Sequence, residues 1–362
     1  MTVALTCIIL AAGIWIYVPY LYQTYIIGQY HNYPEAVAKK LRRAIYYSKI
    51  NVDVREALKY FEQALETARE EGMDPMSDEV MGIKFEIAGL FERLNAYGEA
   101  IKVLNAVATQ NMEWIQRHKD QPEFKKQITH VLYQTVKVQI KVAGHYANPA
   151  VWDRETAETK LVWAVETLVK ERQRRERLNV SEEDEGPWMS DDEMGASIED
   201  LAQLYSGKDQ HYLAVPLYLQ ALSIKPTTDC HTVTLMSNLA SSLAQQSPRA
   251  ARAAQAYAQS KNIRSDSTPS GPVASREQTI DNARLWAEKA LTLGRQIQPP
   301  QRTEECDIGC AVATHNLGEI AELMGNKSAA VERYKEAVSL AKAIGYQEGL
   351  DMSSERLRDL KK

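Results

Sequence analysis

Cys306 and Cys310 stand four residues apart in a stretch of helical pattern, with His315 a little further on, so their side chains share one face. The chemistry such a set offers is metal binding or thiol redox work. Zinc pairs, however, have tighter loop spacing and two further ligands close by, so these residues read as small side chains packed in a helix. Cys230-His231 lies too far along the chain to be counted with them. Four cysteines, Cys7 included, are too few and too unevenly placed to frame a disulfide-built domain, and they leave the compartment open. The sequence has no phosphate-cradling glycine loop, no His-Glu-x-x-His and no Gly-x-Ser-x-Gly. Arg172, Arg174, Arg175 and Arg177, followed by Glu182 to Glu185, read as a solvated helix end whose cations complement the helix dipole. The expectation is a protein that is not an enzyme and holds no metal and no cofactor.

At 362 residues the chain exceeds one compact core, which points to two domains or an elongated repeat array. Charged residues make up 25% and the net charge is -5, so no nucleic-acid partner is implied. The first 34 residues contain no Asp, Glu, Lys or Arg, and Val3 to Val18 is almost wholly apolar. That length suffices to span a bilayer. Trp15, Tyr17, Tyr20, Tyr22 and Tyr25 gather toward its C-terminal end, where amphipathic rings favour a headgroup boundary. A cleaved signal would want a basic start and a small-residue cleavage site, and neither is placed for it. Residues 1–34 are therefore expected to form a transmembrane anchor and its juxtamembrane segment.

Beyond the anchor one pattern recurs: Ala, a large or aromatic residue four on, and a small residue three further. It appears as Ala57, Phe61 and Ala64; Ala100, Leu104 and Val107; Ala157, Leu161 and Ala164; Ala214, Tyr218 and Ala221; Ala330, Tyr334 and Ala337; and, with alanine in place of the large residue, Ala283, Ala287 and Ala290. A preceding helix carries a large-small pair whose small member falls twelve residues before the first Ala: Ile87-Ala88, Leu201-Ala202 and Leu317-Gly318. Small residues let paired helices approach, and a large one fills the gap between them. The spacing is that of tetratricopeptide (TPR) repeats, units of about 34 residues. The expected fold is all-α, a TPR superhelical solenoid of about six helical hairpins preceded by one transmembrane helix. Repeats fall near 35–72, 77–120, 124–179, 193–226, 229–298 and 304–345, with a disordered insert at 247–279 and a capping helix and tail at 347–362.

In this architecture the first helices line the inner face, at positions offset from the packing residues. Those offsets select Lys39, Arg42, Arg43 and Tyr46 in the first repeat, Phe85 and Glu86 in the second, Glu199, Asp200 and Gln203 in the fourth, Asn238 in the fifth, and His315, Asn316 and Glu319 in the sixth. Asn238 and Asn316 sit where chaperone-binding TPR clamps place Asn, but the Lys and Arg partners are missing. A groove of acidic, aromatic and basic segments suits varied extended chains.

One uncharged leader, the stretch Lys40-Leu41-Arg42-Arg43-Ala44-Ile45-Tyr46-Tyr47 leading to Ala57–Ala68, and a final Asn316-Leu317-Gly318-Glu319-Ile320-Ala321 together resemble the fungal TPR-repeat adaptor of the mitochondrial inner-membrane i-AAA protease. The resemblance implies a single-pass inner-membrane protein whose repeats face the intermembrane space. It also implies that the protein binds unfolded or misfolded clients and works with the protease complex and its other adaptor subunit. The alternative is a scaffold resembling the TPR protein of respiratory complex III assembly.

Overall fold

The computed structural model describes residues 30–224, 228–250, 252–253 and 275–360. Regular structure among them is entirely helical: α1 (Glu35–Lys49), α2 (Val54–Glu70), α3 (Asp78–Arg93), α4 (Tyr97–His118), α5 (Lys125–Ala147), α6 (Arg154–Leu178), the single turn α7 (Glu182–Glu185), α8 (Asp191–Ser206), α9 (His211–Ile224), α10 (Cys230–Gln245), α11 (Arg276–Gln296), α12 (Glu304–Leu323), α13 (Lys327–Ala343) and α14 (Gln347–Asp359). A 3₁₀ turn at Pro122–Phe124 leads into α5. The helices divide into two compact units, one holding α1–α5 and α7, the other α6 and α8–α14.

All six Ala-large-small triplets are buried, with no member more than 5% exposed. The large members Phe61, Tyr218 and Tyr334 are among the most deeply buried side chains of the protein. In the first unit, Phe61 and its alanines join Val37, Leu41, Ala44, Ile83 and Leu90 in one core, while Leu104, Val107, Val138 and Val142 form a second. The second unit packs α8 on α9, α10 on α11, and α12 on both α10 and α13.

Four of the turns that lead into a motif helix share one local cause. Asn95, Trp152, Asp209 and Gly325 each lie five residues before the first motif alanine, and each has positive φ, between 54° and 75°. A residue in that left-handed region reverses the chain at a helix end and lets the next N–H reach back five residues. Ala96 donates to Phe91, Gln210 to Tyr205 and Asn326 to Ala321, all at 2.8–2.9 Å. Asn, Asp and Gly adopt this conformation readily, whereas Trp152 does so against its steric preference.

Two sequence expectations need adjustment, and a third falls outside the described residues. The helix expected after the insert begins at Arg276 rather than after Thr279, because Ser275 and Gln278 form a capping box that satisfies its first backbone N–H groups. The rest of that insert, apart from its first few residues, lies outside the described residues. The two helices assigned to the third repeat fall in different units, α5 in the first and α6 in the second. There α6 packs on α8, with Arg172 reaching Asp191 at 2.8 Å and Arg154 donating to the Gly207 carbonyl at 2.5 Å. The anchor expected at the N-terminus lies, through residue 29, outside the described residues. Among the described residues no helix is long and apolar enough to cross a membrane.

Candidate functional site

The face of the first unit made by α1 and α3 carries a hollow of about 270 Å³. Tyr30, Tyr33, Leu41, Ile45 and Ile83 form its walls, and Lys49 and Glu86 pair across it at 3.1 Å. The hydroxyl of Tyr33 donates to the Glu79 carbonyl at 3.0 Å, tying the segment ahead of α1 to α3. Only Glu86 among the residues expected here lines this hollow. Arg42 is engaged with Glu35, and Arg43 lies over the Tyr60 ring of α2, 5.6 Å from its centroid. Tyr46 meets Tyr47 edge-on at 5.3 Å, and Phe85 packs against the Leu104 core. Arg43 and Tyr46 remain exposed to solvent, while Arg42 and Phe85 are half-buried. Tyr30 and Tyr33 were not singled out because the offsets describe positions within the repeat helices and these residues precede α1; Lys49, the last residue of α1, was passed over as well.

In the second unit the first helices of successive hairpins, α8, α10 and α12, bring polar groups together around Glu199. Glu199 is 4% exposed, and a buried carboxylate needs partners. Gln203 donates to it at 3.0 Å and Asn238 at 3.3 Å. His231 completes the cluster, donating from Nε2 to Glu199 at 2.8 Å and from Nδ1 to Glu305 at 2.9 Å. With a carboxylate at each ring nitrogen, both must carry a proton, so the ring is an imidazolium. The hydrogen bond to Glu199, opposed by partial burial and aided by Glu305, pushes the His231 pKa up to about 9. Asp200, beside Glu199, reaches solvent but is crowded by protein on its other sides. That crowding, and then the Glu199 charge, push its pKa up to about 6.

His315 and Asn316 are interior rather than groove-lining, at 7% and 5% exposure. His315 Nδ1 bonds the Ser353 hydroxyl of α14 at 2.8 Å, and Asn316 donates to the Ser237 carbonyl of α10 at 3.0 Å. They fasten α12 to its neighbours. Glu319 lies 3.6 Å from His315 Nε2 and is half-buried. Gln203 and Asn238 thus bond to Glu199, with Asp200 next to it in the chain, and His231 and Glu305, which the sequence reading left out, join them; Glu199, like His315 and Asn316, is interior rather than groove-lining.

The cysteines are the clearest correction. Cys306 is bonded to Cys230, 76 residues away, and not packed as one of a pair with Cys310. Cys310 is a buried free thiol, its pKa raised by burial despite the nearby Arg302. A signal was present: aligning Asn238-Leu239-Ala240 with Asn316-Leu317-Gly318 puts Cys230 and Cys306 within two positions of each other, at the starts of adjacent first helices. Among the described residues, no group of His, Cys, Asp and Glu has an arrangement that could hold a metal ion.

The family model of the tetratricopeptide repeat matches residues 197–228 and 312–344, that is, α8–α9 and most of α12–α13. The chain carries tetratricopeptide repeats. It is 28% identical over 327 residues to a TPR repeat-containing protein of Schizosaccharomyces pombe, a match covering 89% of this chain and 77% of that one. Over 88 residues it is 32% identical to the "Protein MRG3-like" of Saccharomyces cerevisiae, covering 24% of this chain and 17% of the relative. Among solved structures, a tetratricopeptide repeat protein from Parabacteroides merdae aligns with 89% of this chain and all of its own, at 13% identity and a TM-score of 0.36. The TPR chain thus has a fungal TPR-containing homologue over most of its length.

Proposed function

We propose that this TPR chain is a membrane-anchored, non-catalytic adaptor that binds unfolded or membrane-associated client proteins and presents them to the mitochondrial i-AAA protease from the intermembrane-space side of the inner membrane. TPR repeats are protein-interaction scaffolds, and the anchoring rests on the uncharged N-terminal segment. The observation that carries the client-binding part is the unlike chemistry of the two faces. The first unit offers a tyrosine-walled hollow with a Lys49–Glu86 pair, and the second a Glu199–His231–Glu305 cluster with Asp200 exposed beside it. Surfaces of mixed apolar and charged character accept side chains of extended segments rather than one rigid ligand. The link to the protease rests on the resemblance in the order of parts.

The test uses the full chain in detergent. Binding to a chemically denatured model protein is measured against the same protein folded, and the tagged chain is affinity-purified from mitochondria. Preference for the denatured form, with an ATP-dependent protease dominating the eluate, is the expected result. Equal binding to both forms removes the client reading. An eluate dominated by respiratory subunits replaces the adaptor with an assembly factor.

A further inference from the structure

The bond between α10 and α12 joins two helix starts that a second interaction also joins. Cys230 and Cys306 have Cα atoms 4.5 Å apart, within the range a disulfide needs, and both side chains are buried, at 5% and 0% exposure. Their chain neighbours His231 and Glu305 form the 2.9 Å ion pair across the same two helices. Asp229 caps α10, accepting from the Thr232 N–H at 2.9 Å, and the Thr303 N–H approaches the Cys230 sulfur at 3.4 Å. Covalent bond, cap and ion pair therefore converge on one place at the edge of the Glu199 cluster. Cys310, one turn beyond Cys306, packs its sulfur against Gly294 of α11 and beside Arg302, and stays a thiol.

We propose that Cys230 and Cys306 are oxidised to a structural staple in the mature protein, and that the second unit therefore matures in a compartment that makes disulfides, outside both the cytosol and the mitochondrial matrix. In a glutathione-reduced compartment buried pairs of this kind remain thiols. The electron acceptor is the exchangeable disulfide of a thiol oxidoreductase. One cysteine thiolate attacks a carrier sulfur and displaces the other as a thiolate. The second cysteine then attacks the mixed disulfide, so the Cys230–Cys306 bond forms and the carrier leaves as a dithiol with two electrons and two protons. The staple holds His231 within reach of Glu305, and through His231 it holds the Glu199 cluster. This inference rests on the fold alone and stands whether or not the protein serves a protease.

The full chain, tagged in a fungal cell, is acid-quenched, alkylated with N-ethylmaleimide and digested without reductant. Mass spectrometry is expected to find the Cys230 peptide joined to the Cys306 peptide, and Cys310 carrying maleimide. Maleimide on most of Cys230 and Cys306 overturns the proposal. In cell-free synthesis the bond is expected with oxidised glutathione and absent with reduced glutathione, and equal formation in both overturns the compartment assignment. Dithiothreitol is expected to lower the melting temperature of the wild-type chain by several degrees. It should leave Cys230→Ser and Cys306→Ser unmoved, at a shared lower value. A wild-type melting temperature unchanged after verified reduction overturns the staple.

Discussion

A Cβ added at Gly318 would lie 2.7 Å from the Tyr334 ring, which is fully buried and donates its hydroxyl to Glu322 at 2.5 Å. The ring has no room to retreat, so Gly318→Ala should lower unfolding free energy by about 1–3 kcal/mol in a denaturant titration, and Gly318→Leu by more. Gly325 resists substitution for another reason: nothing lies within 4 Å of its Cβ position, but its φ is 75°. There Ala costs about 1–2 kcal/mol through backbone conformation alone, and Asn should cost less, because Asn tolerates the left-handed region. Asp200 and His231 give opposite pH signatures. The Asp200 pKa rises from 3.8 to about 6 on folding, so its ionised form is disfavoured in the native state. Asp200→Asn should therefore raise the melting temperature at pH 7, with a gain that shrinks as pH falls through 6 toward 4. The same variant should weaken binding of a client bearing Lys or Arg. For His231, raised from 6.5 to about 9, stabilisation is complete below about pH 6.5 and disappears as pH rises through 9. Melting curves of wild type and His231→Gln should thus differ most near pH 6 and converge above pH 9.5.

Among elements, α9 shows how the repeat pattern is enforced. Ala214 is fully buried and Leu219, five residues on, is 43% exposed. Ala214→Leu should cost about 1–3 kcal/mol by forcing the helices apart, whereas Leu219→Ala should stay within about 0.5 kcal/mol. Equal effects in chemical denaturation would place the helix in the wrong rotation. The same logic made α2, α4, α6, α9, α11 and α13 legible in sequence: each packs one face on a partner helix, which repeats small and large residues at i, i+4 and i+7 along the chain. Asn95, Asp209 and Gly325, though not singled out above, were open to being read as turn residues because their types accept positive φ. Trp152 was not, because its conformation is imposed by the surroundings and not by its own preference.

At the scale of the whole molecule, the adaptor reading and the staple make a shared demand on topology. With a C-terminal tag, the chain should resist protease in intact mitochondria and be cleaved once the outer membrane is ruptured. Persistence of the tag after rupture would place the repeats in the matrix and remove the proposed orientation. What the sequence determined by itself was the all-helical character of the described residues and the buried triplets, since each follows from residues within one repeat. Tertiary structure alone decided which distant groups meet. Cys230 found Cys306 rather than leaving Cys306 to Cys310, His231 bridged Glu199 to Glu305, and Tyr30 and Tyr33 closed a hollow over Ile83. His315 and Asn316 turned inward for the same reason. A helical offset gives the side of its own helix a residue occupies, but the rotation of the neighbouring helix settles whether that side meets solvent or another chain segment.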